Sequence, residues 1–328
     1  MKQQKIAIIG AGIAGLTLAR ELQNHFEVTI FEKSRGVGGR IATRKIDKFE
    51  FDHGAQCFTT RTSAFKKFIH GYEEKGLIKE WQGRVVNLEL GREICDRKWY
   101  EKHLVFTPSM NNICKEMAKN LNIVLNTEVL PSLRSNNLWH LQSKNGNDLG
   151  KFNWVVCCLP SVQSIKLVGK YVSSEEPLKS SRMYGCFSLM IGYNKKWQGD
   201  WIAAKVRNNP LKWISVNSTK PMRNQDITCF VAHSKNNWSD KHLDDDIASV
   251  QQTLLTQFEK LTRLNTEEAD HIAIHRWRYA IVKNSEKRNG FVDVQNKLAI
   301  VSDWCRTSRI EEVWQASMDV AERVITAK

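Results

Sequence analysis

The chain has 328 residues, 41% of them hydrophobic, with a formal net charge of +14. That length accommodates two domains, or one large domain with insertions, and 11 Trp support a substantial core. The longest apolar stretch near the N-terminus, residues 6–19, is broken by glycines and too short to cross a bilayer, so no membrane span is expected. No basic region followed by an apolar core and a small-residue cleavage site is visible, which points to a cytoplasmic protein. The basic residues are interspersed with acids. They form either a solvated surface or a field that steers an anionic small molecule toward a cleft. No helix-turn-helix or RNA-binding signature appears, so nucleic acid is not an expected partner. The eight cysteines (57, 95, 114, 157, 158, 186, 229, 305) form no C-x-x-C pair and no zinc spacing. They read as reduced, mostly buried thiols, and no metal site is expected.

The first element in chain order is an apolar strand, Ile6-Ala7-Ile8-Ile9. Gly10-Ala11-Gly12-Ile13-Ala14-Gly15 follows it, and then an apolar-periodic helix with Leu16, Leu18, Ala19 and Leu22. Gly10 permits the tight turn, Gly12 lets a pyrophosphate approach the backbone, and Gly15 lets the helix pack on the strand. The helix N-terminus adds free N–H groups and the positive end of its dipole. A second strand, Glu27 to Phe31, ends at Glu32, about 20 residues after the glycines, where an acid takes a ribose hydroxyl. A carboxylate there repels a 2′-phosphate, so FAD or NAD(H) fits this site better than NADP(H).

Gly36-Val37-Gly38-Gly39-Arg40 must be turn or close-approach backbone. A short strand, Phe49 to Asp52, runs into His53-Gly54-Ala55-Gln56. Residues 64–79 read as helix, and a second helix follows Pro108-Ser109. Three strands are expected at 123–130, 137–143 and 152–159, as a meander over the nucleotide-binding sheet. Residues 183–233 read as sheet and 244–262 as an amphipathic helix. A buried strand at 297–301 is stopped by Ser302-Asp303-Trp304, and a last helix spans about 310–325. The expected class is α/β (α+β). Residues 1–61, 105–164 and 290–328 would form a Rossmann-like FAD-binding domain. Residues 62–104 and 165–289 would form a second, mixed-sheet substrate domain.

With these pieces placed, the chain resembles the FAD-dependent amine oxidase superfamily, and within it the renalase-type proteins. The wider signal is GAGIAGL, then Glu32, then GVGGR ending at Arg40. The narrower one is FDHGAQCFT at 51–59, SRMYGCFSLMIGY at 181–193, KPMRN at 220–224, HRWRYA at 275–280 and IVSDW before the last helix. The resemblance implies a noncovalent FAD. Gly10, Ala11, Gly12, Ala14, Gly15, Glu32, Lys33, Gly39 and Arg40 would hold its ADP and pyrophosphate. Val129 would meet the adenine. Gly54, Ala55 and Gln56 would lie beside the isoalloxazine, and Ser302, Asp303, Arg309 and Glu312 near its ribityl and pyrimidine side. The implied reaction is oxidation of isomeric 2- or 6-dihydronicotinamide dinucleotides to NAD(P)+. Electrons would pass to O2, giving H2O2.

Relatives usually have Gly-Asp-Trp where this chain has Ser302-Asp303-Trp304, and Glu-Gly-Ala-Trp where it has Glu311-Glu312-Val313-Trp314. Glu312 either places negative charge beside the flavin or belongs to an acidic first turn facing solvent. A dihydronicotinamide donor needs no protein base, because aromatisation drives hydride transfer. No Ser-His-Asp, paired-carboxylate or metal set is visible, and no catalytic residue is named. Gln56, Trp277, Arg278 and Tyr279 are the candidates for the substrate pocket. Gln56 can bind a carboxamide or cap its own turn. On a strand, Trp277 and Tyr279 share one face, and Arg276 and Arg278 the other. The competing readings are an amine oxidase or desaturase, and a flavin- or nucleotide-binding protein with little turnover.

Overall fold

The structure is a computed structural model that describes residues 3–173, 177–283 and 289–328. The chain divides into two compact units. One comprises Met1–Gly39, Cys114–Arg182 and Ile281–Lys328, the other Arg40–Ile113 and Met183–Ala280.

The first unit is built on a six-stranded sheet. Its order is Phe291–Asp293, Leu298–Ile300, Trp154–Cys157, Lys5–Ile9, Glu27–Phe31 and Ile123–Val124. Every neighbouring pair is parallel except the first, which is antiparallel. Three of the four inner strands, Leu298–Ile300, Trp154–Cys157 and Lys5–Ile9, are near-continuous apolar runs, as expected for strands covered on both faces. Helices Ile13–Leu22 and Ile310–Thr326 pack on each other, and both carry buried small and apolar residues, among them Leu16, Ala19, Ala316 and Val320. This is a Rossmann-like α/β arrangement. A separate antiparallel meander runs through Leu133–Ser135, Leu138–Gln142 and Asp148–Phe152.

The second unit is built on a seven-stranded mixed sheet. Its order is His271–Val282, Met183–Tyr193, Thr228–Ser234, Leu211–Val216, Ala203–Val206, Val85–Leu88 and Cys95–Asp96. The Ala203–Val206 and Val85–Leu88 strands pair in parallel, and the pairs on either side of them are antiparallel. Helix Ile247–Thr262 lays Val250, Leu254, Leu255, Phe258 and Leu261 on one side of this sheet, against Phe187, Leu189, Ile214 and Phe230. The opposite side receives Phe49 and Phe51 against Met190, Cys229 and Val231.

Three sequence expectations need correction. The meander is shifted. Ile123–Val124 is an edge strand of the parallel sheet, paired with Glu27–Phe31, and Trp154–Cys157 is a central strand of the same sheet. Both are apolar runs of the right length, and only their pairing tells which sheet they join. The helix expected at 64–79 ends at Glu74, and Ile78–Glu80 pairs instead with Leu104–Phe106. The unit boundaries also move. Residues 40–61 go with the second unit because Arg44–Ile46 and Phe49–Phe51 pair with each other and the latter packs on the mixed sheet. Residues 165–182 stay with the first unit, where Ser161–Val168 packs against Pro177–Ser180. Residues 174–176 and 284–288, in the expected substrate segment, lie outside the described residues.

Candidate functional site

In the first unit the glycine turn is drawn tight by close backbone contact. A Cβ on Gly15 would stand 2.0 Å from the Gly10 carbonyl oxygen, so helix and turn can meet at this distance only with glycine there. At Gly12 the opposite holds. A Cβ there would meet nothing within 4 Å, and Gly12 caps the helix without a side-chain hydrogen bond. The first N–H groups of the helix therefore face an open backbone surface, the arrangement that accepts a phosphate. Gly38 bridges to Gly12, and its N–H donates to the Ala11 carbonyl at 2.9 Å, which brings the second glycine turn against the first. Ala11 and Ala14 are buried and Lys33 is exposed.

Glu32 is buried at the end of its strand. One carboxylate oxygen accepts from the Ala11 N–H at 2.8 Å and the other from the Ser34 N–H at 2.8 Å. The acid thus ties the second strand to the glycine turn, and each oxygen retains a lone pair for a further donor. Val129 is buried and bridges to Ser143, outside the meander strands. Asp303 is buried, accepting from Ser302 Oγ at 3.1 Å and Ser308 Oγ at 2.7 Å. Beside it, the indole N–H of Trp304 is buried without a protein acceptor. Such a donor is costly unless something else receives it. Arg309 caps the last helix with extended backbone. Glu312 is half-buried and accepts from the Thr307 hydroxyl.

In the second unit, the segment after strand Phe49–Phe51 is clamped from several directions. The His53 carbonyl accepts from Ser188 Oγ at 2.7 Å, His233 Nε2 at 3.2 Å and Trp277 Nε1 at 3.1 Å. A Cβ on Gly54 would lie 2.1 Å from the Arg40 carbonyl oxygen, which also accepts from the Ala55 N–H at 2.9 Å. The Gln56 amide nitrogen donates to the carbonyls of Asp52 and Gly54. Gln56 therefore caps its own turn, the second of the two roles expected for it.

Around His53 gathers an aromatic cluster. Its ring stacks on Trp277 with centroids 5.3 Å apart and meets His275 edge-on at 5.0 Å. His275 and Trp277 are 4.2 Å apart and half-buried. Burial pushes the His53 pKa down to about 4, helped by His275 and Arg44. Burial and Arg44 push His275 down to about 4 as well, and burial with Lys212 takes His233 to about 3. At neutral pH the cluster is an uncharged, polar aromatic surface.

Strand alternation separates the other candidates. Arg276 and Arg278 turn the opposite way from Trp277, to the Asp245 carbonyl at 2.7 Å and the Asp244 carboxylate at 2.8 Å. The structure thus does not bring Arg278 together with Trp277. Tyr279 is half-buried, and its carbonyl and that of Ala280 lie 3.5 and 3.4 Å from the Arg40 guanidinium.

Sequence reading missed a buried ion cluster beneath the same turn. Asp52, Lys220 and Arg223 are almost wholly inaccessible. Asp52 Oδ2 lies 3.0 Å from Lys220 Nζ and 2.8 Å from an Arg223 nitrogen, while Oδ1 accepts from Thr43 Oγ1 at 2.6 Å and the Met110 N–H at 3.0 Å. Burial alone would raise the Asp52 pKa, but the two cations and these donors overcome it and hold the carboxyl well below its usual range. Lys220 also reaches Gln56 Oε1 at 3.4 Å and lies over the Trp81 ring. Its motif, KPMRN, was visible, but nothing local in it shows that a lysine and an arginine more than 160 residues away share one aspartate.

Residues 8–71 match the NAD(P)-binding Rossmann-like domain family. A prenylcysteine oxidase 1-like protein of Bos taurus is 38% identical over 72 residues, 21% of this chain and 14% of that protein. A 4,4′-diapophytoene desaturase (4,4′-diaponeurosporene-forming) of Staphylococcus aureus is 56% identical over 52 residues, 15% of this chain and 10% of that protein. The chain therefore spans only a small part of these curated relatives. Solved structures agree over far more of its length. A provisionally named protoporphyrinogen oxidase of Exiguobacterium superposes with a TM-score of 0.82 at 12% identity, over 100% of both chains. Cyclohexylamine oxidase of Brevibacterium oxydans superposes with a TM-score of 0.75 at 10% identity, over 99% of both chains. The fold is shared with these oxidases.

Proposed function

We propose that this protein is a flavin-dependent oxidoreductase of the amine oxidase superfamily, renalase-type, that holds FAD noncovalently. The observation that carries the cofactor assignment is the Gly10–Gly15 turn, with its open face at Gly12 and Glu32 tied to the Ala11 N–H. The names of the fold neighbours and of the short-range relatives support it. The residues fit the group. Gly12 leaves an open face for a pyrophosphate, and Gly10, Gly15 and Gly39 draw the two turns tight around it. Glu32 has lone pairs for a ribose, and Trp304 has a buried donor to give. Ser302, Asp303, Arg309 and Glu312 would lie toward the ribityl and pyrimidine side, with Val129 at the adenine. Gly54, Ala55 and Gln56 would lie beside the ring.

Bound FAD supplies the hydride acceptor. The protein's task is then to align the donor carbon and keep competing water chemistry out. The substrate we infer is an isomeric dihydronicotinamide dinucleotide, oxidised to NAD(P)+, with O2 taking the electrons to give H2O2. The neutral His53–His275–Trp277 surface supports this reading. It offers stacking for a planar ring, and its two imidazoles, pushed down to about 4, are only weak bases; a dihydropyridine needs none because aromatisation drives the transfer. Oxidation of an amine or a desaturation is the second reading, favoured by the fold shared with cyclohexylamine oxidase. We place the protein in the cytoplasm. Among the described residues, no helix is long and apolar enough to cross a membrane.

Anaerobic mixing of the FAD-loaded protein with 2- and 6-dihydro-NAD tests the reading. Rapid loss of the flavin absorbance is expected. Bleaching by amines alone would transfer the assignment to the second reading. A purified protein whose flavin bands are not restored by added FAD would end both.

A further inference from the structure

The turn after Asp52 is held from beneath by side chains that neither the glycine cradle nor the aromatic cluster uses. Lys220 has no solvent exposure, and its Nζ stands 3.0 Å from Asp52 Oδ2 and 3.4 Å from Gln56 Oε1. The Gln56 nitrogen serves the carbonyls of Asp52 and, at 3.0 Å, Gly54. A carboxamide has nearly the same shape either way round, so its partners decide its orientation. Burial lowers the Lys220 pKa and the Asp52 carboxylate at 3.0 Å opposes it; held against that carboxylate as an ammonium, Lys220 only donates. Lys220 therefore admits only the oxygen end of Gln56, which sends the NH2 group to the two carbonyls. Reversed, donor would face donor and oxygen would face two oxygens.

The consequence reaches the backbone. Gly54 already lies in contact with the Arg40 carbonyl, which accepts the Ala55 N–H. The peptide planes of 53–56 therefore have little freedom once Gln56 is oriented. We propose that Lys220 is a positioning residue: by donating to Gln56 Oε1 it sets the orientation of that amide, and through it the backbone of the 53–56 turn. Asp52 holds Lys220 in place, and Arg223 fixes Asp52, donating to its Oδ2 at 2.8 Å and to the carbonyls of Phe106 at 2.8 Å and Pro221 at 2.9 Å. The consequence for the cofactor rests on the reading that the flavin ring lies beside Gly54–Gln56. The effect on the turn does not.

The test uses the full chain as K220M, Q56M and K220M/Q56M, with two readouts. Hydrogen exchange of the 53–57 amides is measured on the apoprotein. The FAD midpoint potential and dissociation constant are measured on the loaded protein. Each single variant is expected to speed exchange at Ala55 at least tenfold and to shift the potential in the same direction. The double variant should match either single one. Exchange in K220M within twofold of wild type, or fold-changes that multiply in the double variant, would overturn the assignment. If K220M does not fold, wild-type protein carrying 15N in its glutamine side chains decides it. Nuclear Overhauser contacts from the Gln56 NH2 protons to the Ala55 amide are expected, and contacts to the Lys220 ε-methylene instead would overturn it. Failure of wild type to bind FAD would end the proposed function, while the exchange readout would still decide the role of Lys220.

Discussion

Replacing Asp52 by Asn tests how much of the second unit depends on one buried carboxylate. The substitution keeps size and shape, and the Asn oxygen can still accept from Thr43 and the Met110 N–H. Its NH2 group must then face Lys220 and Arg223, donor against donor, and both cations lose their counter-ion in a site with no solvent. Breaking a buried ion pair by removing one partner costs about 3–5 kcal/mol. For a unit of this size that is a fall in Tm of roughly 6–20 °C. Urea denaturation of wild type and D52N at pH 7.5, followed by tryptophan fluorescence, measures it. The sign with pH can also be worked out. The folded-state pKa of Asp52 is depressed, so its contribution is full above the unfolded carboxylate value and fades only as pH falls through the lower, folded one. Wild type therefore keeps this contribution throughout pH 5–8. In D52N the unpaired Lys220 is driven to lose its proton on folding, so the deficit should shrink as pH rises from 7 toward 10. A D52N protein within about 1 kcal/mol of wild type, or a deficit that grows with pH, would refute the account of the cluster.

Three further outcomes follow from the same geometry. G12V should keep a Tm within about 2 °C of wild type, since its side chain enters open space, yet lose dinucleotide affinity at least tenfold. G15A places a methyl against the Gly10 carbonyl and should lose about 1–3 kcal/mol. Fluorescence titration with FAD and thermal melts separate the two. His53, His233 and His275 are neutral when folded, so stability should be full above pH 6.5 and decline as pH falls toward 4. The decline is up to about 1.4 kcal/mol per pH unit for His233, which is half-buried, and H233Q should flatten a series of urea midpoints. R278A should leave KM within twofold of wild type and cost about 0–1 kcal/mol, because its ion pair with Asp244 is exposed. W277L should raise KM at least fivefold.

The sequence by itself determined the dinucleotide-binding half. The strand at 5–9, the glycines at 10, 12 and 15, the helix and Glu32 all lie within 28 residues, and local steric rules suffice to order them. The amphipathic helix at 247–262 and the last helix were legible for the same reason, since periodicity is a local property. Only the tertiary structure decided which sheet the short apolar runs at 123–124 and 154–157 join, because a parallel strand gives no local sign of its neighbour. It also decided that Arg278 parts from Trp277, that Gln56 caps its own turn, and that Glu312 meets Thr307. The Asp52–Lys220–Arg223 cluster is the clearest such case. Lys220 and Arg223 lie 168 and 171 residues from Asp52, and each of the three reads alone as an ordinary surface charge. What makes them one unit is exclusion from water, and burial is set by the whole fold rather than by any segment of it.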